Sequence, residues 1–497
     1  MSLNGCGPER SMAAWSSESG RALPDSLPPN KTRIVATIGP ASSSPDVLER
    51  MIQAGMNVAR LNFSHGEFAT HQQNILNLRA AARATGRPLA IMADLSGPKM
   101  RIGRLATEPI QLTHGDSFTL TTDNIVGDQQ RVSVSFARLP NVVKPGDKLS
   151  LNDGYVQLEV VEVRGPDVVC KVTVGGELRS RKGLNLPGID LGVSAFTDRD
   201  RECLQFALAQ GVDAVSQSFV EGAADVEAVR QAARDVGREP FLIAKIERKR
   251  ALERIDEILD AADGIMIARG DLGVEVPIEQ IAVIQKDLIL QANRRAKPVI
   301  TATQMLESMI HSYLPTRAEA TDVSNAVLDG TDGVMLSAES AMGDFPVESV
   351  AMLSRIAATV EATRRRTTVK EMYANVDLTG KILPLHLISV GVEASFEYLK
   401  PAAIFARTDS GTSARRLAGF RLPVWTVAIS PDAKTAQDLL FSSGVIPVHQ
   451  PEPPASWNGF VKEWVTRHEL PGKFAILTER PSANDPESRH RMEIINL

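Results

Sequence analysis

Residues 241–271 read FLIAKIERKRALERIDEILDAADGIMIARGD. The opening stretch, 241–247, is a short apolar run closed by Lys245 and Glu247, which period two places on one face. A charged, helix-forming stretch follows over 249–262. A second apolar run, 264–268, then ends against Arg269-Gly270-Asp271. The spacing predicts two parallel strands joined by a helix, with polar residues gathered where the strands finish.

The same rhythm extends in both directions. Strands are predicted at 34–39, 57–63, 89–95, 214–220, 241–247, 264–268, 298–303 and 333–337. Helical stretches follow near 45–54, 67–85, 223–236, 249–262, 278–296, 316–329 and 346–364, and one near 198–210 leads into the fourth strand. Eight such units in ~250 residues predict an α/β fold, a (β/α)8 TIM barrel over 31–98 and 193–364. Between 99 and 192 the helical period vanishes. Short strands at 118–120, 131–133, 148–151, 156–163 and 168–174, with turn signals at Asp153-Gly154 and Gly175-Gly176, predict an inserted all-β lid domain, a small β-barrel. After 365, strands at 403–406, 424–429, 474–478 and 492–495 alternate with helices near 386–399, 412–419, 433–441 and 456–468. These predict a C-terminal doubly wound α/β domain, 365–497. Residues 1–30, rich in Ser, Gly, Pro and Ala, are expected to be a disordered tail.

Composition excludes several classes. A chain of 497 residues exceeds the ~250–300 at which one core stops growing, so several domains are expected. The net charge of -5 lacks the basic excess of a nucleic-acid or membrane-surface binder, so neither partner is expected. No apolar run reaches the ~18 residues of a transmembrane helix. Cys6, Cys170 and Cys203 are odd in number and far apart, which suits a reducing, cytoplasmic location. Neither a Walker A pattern nor GxGxxG occurs.

The chemistry gathers at strand ends, where barrel enzymes keep their active sites. The second strand ends Arg60-Leu61-Asn62-Phe63-Ser64-His65, and period two puts Arg60, Asn62 and Ser64 on one face. Asp94 closes the third strand. Lys245 and Glu247 close the fifth, and Asp271 follows the sixth. Thr301, Thr303 and Gln304 end the seventh, and Ser337 and Glu339 the eighth. Glu247 and Asp271 come from adjacent strands and suit Mg²⁺ (or Mn²⁺), a hard ion that takes one or two carboxylates and fills its other positions with phosphate and water. With Arg60 and Lys245 they predict an anion-plus-metal site for phosphoryl transfer.

At these residues the chain resembles the pyruvate kinase family. The matching stretches are MNVARLNFSHG at 56–66, KGLNLPG at 182–188, AKIE at 244–247, MIARGDLGVE at 266–275 and PVITATQMLESM at 298–309. The resemblance implies phosphoryl transfer from phosphoenolpyruvate to ADP, giving pyruvate and ATP at the end of glycolysis. It implies that Arg60 holds the substrate phosphate. Lys245 stabilises the migrating phosphoryl and the enolate, and Glu247 and Asp271 carry the metal. Gly270 and Thr303 lie at the substrate carboxylate, and Thr303 and Ser337 are on the route that protonates the enol. The proton donor itself is not assigned. Asn62, Ser64, His65, Arg101 and Lys182 resemble the nucleotide contacts, Lys182 coming from the lid. A homotetramer is implied as well. Two rival readings stay open: a barrel enzyme of carbon–carbon chemistry on the same substrates, and an inactive metabolite-binding homologue.

The chain departs from the family pattern in places. Ala338 replaces a glycine, and the stretch 189–195 is short. Leu95, Ser96 and Lys99 stand where Thr, Lys and Glu are more familiar. Family members with Lys at the position of Lys99 work without K⁺, so K⁺ is expected to be dispensable, the ammonium standing in for the bound cation. The loop Thr408-Asp409-Ser410-Gly411-Thr412-Ser413 lies between a strand and a helix, and its hydroxyls and backbone N–H groups suit a phosphate. A sugar-monophosphate effector is expected there, since Asp409 would repel a bisphosphate.

Overall fold

The computed structural model describes residues 27–374, 384–479 and 490–497. Of the tail expected at 1–30, residues 1–26 fall outside the described residues. Eight parallel strands close into a barrel: Arg33–Thr37, Met56–Asn62, Ala90–Leu95, Ala214–Gln217, Phe241–Ile246, Gly264–Ala268, Val299–Ala302 and Gly333–Leu336. The first strand pairs with the last, Arg33 opposite Gly333, which closes the ring. The strands are nearly continuous buried runs because helices cover them outside and side chains fill them inside. Val58, Met92, Ile243, Met266, Ile300 and Met335 belong to the inner cluster. Leu440 and Phe441 of the C-terminal domain join it, and Phe441 stacks on Phe241 with ring centroids 5.0 Å apart. The C-terminal domain therefore closes the end of the barrel where the strands begin. Among the described residues no helix is long and apolar enough to cross a membrane.

The lid builds its own core, from Met100 to Leu191. It holds a six-stranded sheet and a two-stranded ribbon. The turn at Asn152-Asp153-Gly154, all with positive φ, joins Lys148–Leu151 to Val156–Arg164 as predicted. Gly175-Gly176 is not the hairpin turn its sequence suggested. The reversal comes earlier, at Gly165-Pro166, where Val156–Arg164 pairs back on Asp167–Val174. Beyond Gly175 the chain leaves that sheet and pairs Gly176–Leu178 with Ile110–Leu112. A Cβ at Gly175 would collide with the Leu112 carbonyl, so glycine here permits close backbone approach rather than a turn. The strands Ile110–Leu112, Gly176–Leu178 and Leu184–Asn185 are too short to carry a period and were not foreseen.

One carboxylate secures both lid connections. Asp200, on helix Asp198–Ala209, forms a capping box with Thr197. Its Oδ1 also accepts from the backbone N–H groups of Ser96 (3.0 Å) and Gly97 (3.2 Å). Gly97 has φ +64, and a Cβ there would meet the Phe219 ring at 2.8 Å. The outgoing and returning strands of the lid are thus tied to the same buried group.

The C-terminal domain is a five-stranded doubly wound sheet in the order Val445–His449, Trp425–Ser430, Ala403–Arg407, Phe474–Glu479, Arg491–Asn496. The last strand is antiparallel to its neighbour. The edge strand Val445–His449 was absent from the sequence reading. The helix expected at 249–262 arrives as two pieces, Lys249–Glu253 and Ile255–Ala261, because Arg254 between them leaves the helical region at φ -119.

Candidate active site

The barrel brings the strand-end residues to one mouth. At its centre is Asp94, 2% exposed. It accepts from Arg60 Nε at 2.7 Å and from Ser216 Oγ at 2.7 Å, and its Oδ1 lies 3.5 Å from Lys245 Nζ. Arg60 also donates to Thr37 Oγ1 at 2.9 Å, so its guanidinium is held from the first and third strands. Lys245 Nζ donates to Ser218 Oγ at 2.7 Å and lies 2.8 Å from Glu247 Oε1. Burial alone would lower the Lys245 ammonium. Asp94 and Glu247 outweigh that and hold it at about 12, so it stays charged at any working pH.

Glu247 Oε2 accepts from the Phe219 N–H at 2.8 Å. Its neighbour Asp271 is pushed up to about 7 by the protein packed around it and then by the Glu247 charge. Asp153, at the tip of the lid turn, adds to that repulsion, and the Gly154 position faces Val274. The lid tip therefore overhangs the two carboxylates. Glu247 and Asp271 repel each other in a site that Lys245 only partly neutralises. A doubly charged hard cation fits that donor set.

The seventh-strand end is fixed by hydrogen bonds from its own hydroxyl and from the turn after the sixth strand. Thr303 and Gln304 have positive φ, at 68° and 54°. Gly270 N–H donates to Thr303 Oγ1 at 2.7 Å, and Thr303 Oγ1 donates to the Ala302 carbonyl at 2.7 Å. Arg269 spans this turn. It donates to the Thr303 carbonyl at 2.8 Å and makes a two-pronged pair with Asp322, 2.7 Å on each arm. At the eighth strand, Ser337 N–H donates to Glu339 Oε2 at 2.7 Å, while Glu339 Oε1 accepts from Leu306 N–H at 3.2 Å.

A second group of predicted residues lies beside Arg60. Asn62 Oδ1 accepts from Ser64 N–H at 3.1 Å, and Ser64 Oγ is 2.9 Å from Ser96 Oγ. Burial and then the charges of Lys99, Arg101 and Arg60 lower His65. Lys99 is itself lowered to about 8, first by the surrounding protein, then by Arg101 and Lys245, with Asp94 opposing. Arg101 donates to the Arg181 carbonyl at 3.3 Å, and the Lys182 carbonyl accepts from Ile102 N–H at 2.9 Å. The Lys182 backbone is thus held in the lid next to Arg101, just before the strand Leu184–Asn185. The Thr408–Ser413 loop is not part of this mouth. It follows strand Ala403–Arg407 in the domain that closes the opposite end of the barrel.

Residues 29–350 match the family model described as "Pyruvate kinase, barrel domain", and residues 387–470 match "Pyruvate kinase, alpha/beta domain". The chain belongs to the pyruvate kinase family. It is 46% identical over 422 residues to a pyruvate kinase of Thermococcus litoralis, covering 85% of this chain and 89% of the relative. It is 43% identical over 424 residues to pyruvate kinase 2 of Synechocystis, covering 84% and 71%. A crystal structure of a pyruvate kinase from Cryptosporidium parvum superimposes with a TM-score of 0.86 at 34% identity, covering 94% of this chain and 96% of that one.

Within this pyruvate kinase architecture, several residues escaped the sequence reading. Ser216 and Ser218 supply the fourth strand's share of the mouth, and only their period-two spacing could have marked them. Arg248, 2% exposed, donates to the Ile189 carbonyl at 2.7 Å and faces Glu221 and Glu275 at 3.4 and 3.5 Å. It ties the returning lid connection to the strand that carries Lys245.

Proposed function

We propose that this chain transfers a phosphoryl group from phosphoenolpyruvate to ADP with Mg²⁺ (or Mn²⁺) and without a requirement for K⁺. The observation that carries this reading is the buried Lys245 ammonium, held charged between Asp94 and Glu247 beside Asp271. Arg60 binds the phosphate, braced by Asp94 and Thr37. Gly270 and Thr303 orient the substrate carboxylate. Lys245 faces the bridging oxygen and stabilises the negative charge that grows there as the P–O bond breaks. Glu247 and Asp271 would hold the divalent cation, which supplies further positive charge to the phosphoryl oxygens. Asn62, Ser64, His65, Arg101 and Lys182 take the nucleotide. The lid, 99–192, excludes water from the phosphoryl in transit. Thr303 and Ser337 line the proton's route to the enol. The barrel, 31–98 and 193–364, carries the chemistry, and 365–497 carries regulation. A cytoplasmic homotetramer accords with the family.

Coupling pyruvate release to lactate dehydrogenase tests the reaction. Turnover should need both ADP and Mg²⁺, and EDTA should abolish it reversibly. Undiminished turnover after EDTA treatment would remove Glu247 and Asp271 from their role.

The K⁺ reading rests on the placement of Lys99 in the field of Arg60, Lys245 and Asp94. Full rate is expected with tetramethylammonium as the sole monovalent cation. Lys99→Glu should lower that rate by about tenfold or more, the order set by inverting one charge near the phosphate, and K⁺ should partly restore it. An ammonium lowered to about 8 is charged below that pH and neutral above it. K⁺ activation of the wild type should therefore be stronger near pH 9 than at neutrality. A wild type silent without K⁺ at neutral pH would sink this reading.

The effector loop lies where the sheet order reverses, between strands Ala403–Arg407 and Phe474–Glu479, the usual ligand position in doubly wound sheets. Thr408 Oγ1 and Ser413 Oγ are buried without hydrogen-bond partners. Ser410, Gly411 and Thr412 complete the turn into helix Thr412–Gly419. These features support a sugar monophosphate there.

A further inference from the structure

A cavity of about 210 Å³ lies between the strand-start face of the barrel and the C-terminal domain. Arg230 and Arg234 enter it from helix Ala223–Arg234, and Arg415 and Lys434 from the C-terminal domain. Pro240 and Phe241 border it on the barrel side. Glu239, Asp263 and Asp438 also line it, leaving one cation in excess of the carboxylates. The volume equals about seven waters, room for a phosphate and a few more heavy atoms.

Each arginine keeps donor capacity that its protein partners leave unused or weakly used. Arg415 Nε is buried with no hydrogen-bond partner, while its Nη1 donates to the Ser410 carbonyl at 3.2 Å and its guanidinium lies 5.2 Å over the Phe241 ring. Arg234 and Glu239 are 4.0 Å apart, the outer limit of an ion pair. Arg230 is anchored by one arm, Nη2 donating to the Ala261 carbonyl at 2.5 Å with Nε 3.5 Å from Glu227, while Nη1 sits 3.6 Å from Asp263, whose Oδ2 already accepts from Leu242 N–H at 2.9 Å. Lys434 is paired with Asp438 at 2.6 Å and keeps its other two ammonium hydrogens for an occupant. Three guanidinium forks and an ammonium around one space match the oxygens of a phosphate group.

We propose that this interdomain cavity binds a small phosphate-bearing anion, with Arg230 and Arg234 of the barrel and Arg415 and Lys434 of the C-terminal domain closing on its oxygens. The site is separate from the Thr408–Ser413 hydroxyls, although Ser410 borders both, and it does not depend on the effector reading of that loop. It also has a direct line to the chemistry. Phe241 begins the strand that ends at Lys245, and Asp263 immediately precedes the strand that leads to Asp271. An occupant would pull the C-terminal domain against the foot of both strands.

Calorimetric titration of the full chain with ribose 5-phosphate, and separately with inorganic phosphate, tests the site. The Arg234→Glu/Lys434→Glu double variant removes two half-exposed side chains, 52% and 43% accessible, so the fold and the basal kcat should be kept. Affinity for the tighter probe should fall at least tenfold in the double variant and be retained in Ser413→Ala. Equal affinity for both probes would assign the site to phosphate itself, and tighter ribose 5-phosphate to a phosphomonoester. Wild-type binding in the double variant, loss of binding in Ser413→Ala alone, or no binding by the wild type would each overturn the proposal.

Discussion

Lys245→Met should lower kcat by at least ~10³-fold, about 4 kcal/mol of transition-state stabilisation, while phosphoenolpyruvate still binds. The side chain is nearly isosteric, so the change removes charge and little volume. Arg60 keeps its brace from Asp94 and Thr37, and that phosphate contact does not pass through Lys245. The loss should therefore fall on kcat rather than on KM, the sign of an interaction made mainly in the transition state. The variant also frees Glu247 and Asp94 from their cation, which should tighten divalent-cation binding. Steady-state kinetics with Mn²⁺ titrations would show both effects. Turnover within tenfold of wild type would remove Lys245 from the chemistry.

The second large effect is expected from Asp94→Ala. Asp94 is buried, and it neutralises two buried cations from two other strands. Deleting it leaves Arg60 and Lys245 facing each other without their shared counter-charge. Breaking one partner out of a buried pair costs ~3–5 kcal/mol. The lower figure applies here, since both cations border the mouth and Glu247 still faces Lys245. The urea midpoint, followed by far-ultraviolet circular dichroism, should fall clearly. The described tryptophans, Trp425, Trp457 and Trp464, all lie in the C-terminal domain, so fluorescence would report the wrong unit. Asp94→Asn keeps the shape and isolates the charge. An unchanged midpoint in both variants would show that the cluster contributes no net stability.

The barrel was legible because its strands and helices each repeat a strong period, and because Arg60, Lys245 and Glu247 stand at strand ends where period two fixes their face, while Asp271 follows directly on the sixth strand, in helix Arg269–Glu275. What sequence could not show is contact between distant elements. Arg269 reaches Asp322, 53 residues away, and no spacing encodes that. Asp200 reads as an ordinary helix cap, yet it also holds Ser96 and Gly97. Asp153 was legible only as a turn residue, and its approach to Asp271 depends on how the lid sits. Strand Val445–His449 was hidden by Pro447, which argues against an interior strand. The structure places it at the sheet edge, where a missing N–H is tolerated.

Phe441 makes the two ends of the barrel unequal partners in one folding unit. A domain that merely hung from the barrel could be cut away, fused elsewhere or replaced. This one contributes Leu440 and Phe441 to the packing inside the strands, so its removal would let water into the column of side chains beneath the mouth. The portion ending near residue 364 is then not a smaller enzyme awaiting a regulator. It is a packed barrel with its lowest layer bared, and the segment that seals that layer must be inherited with it.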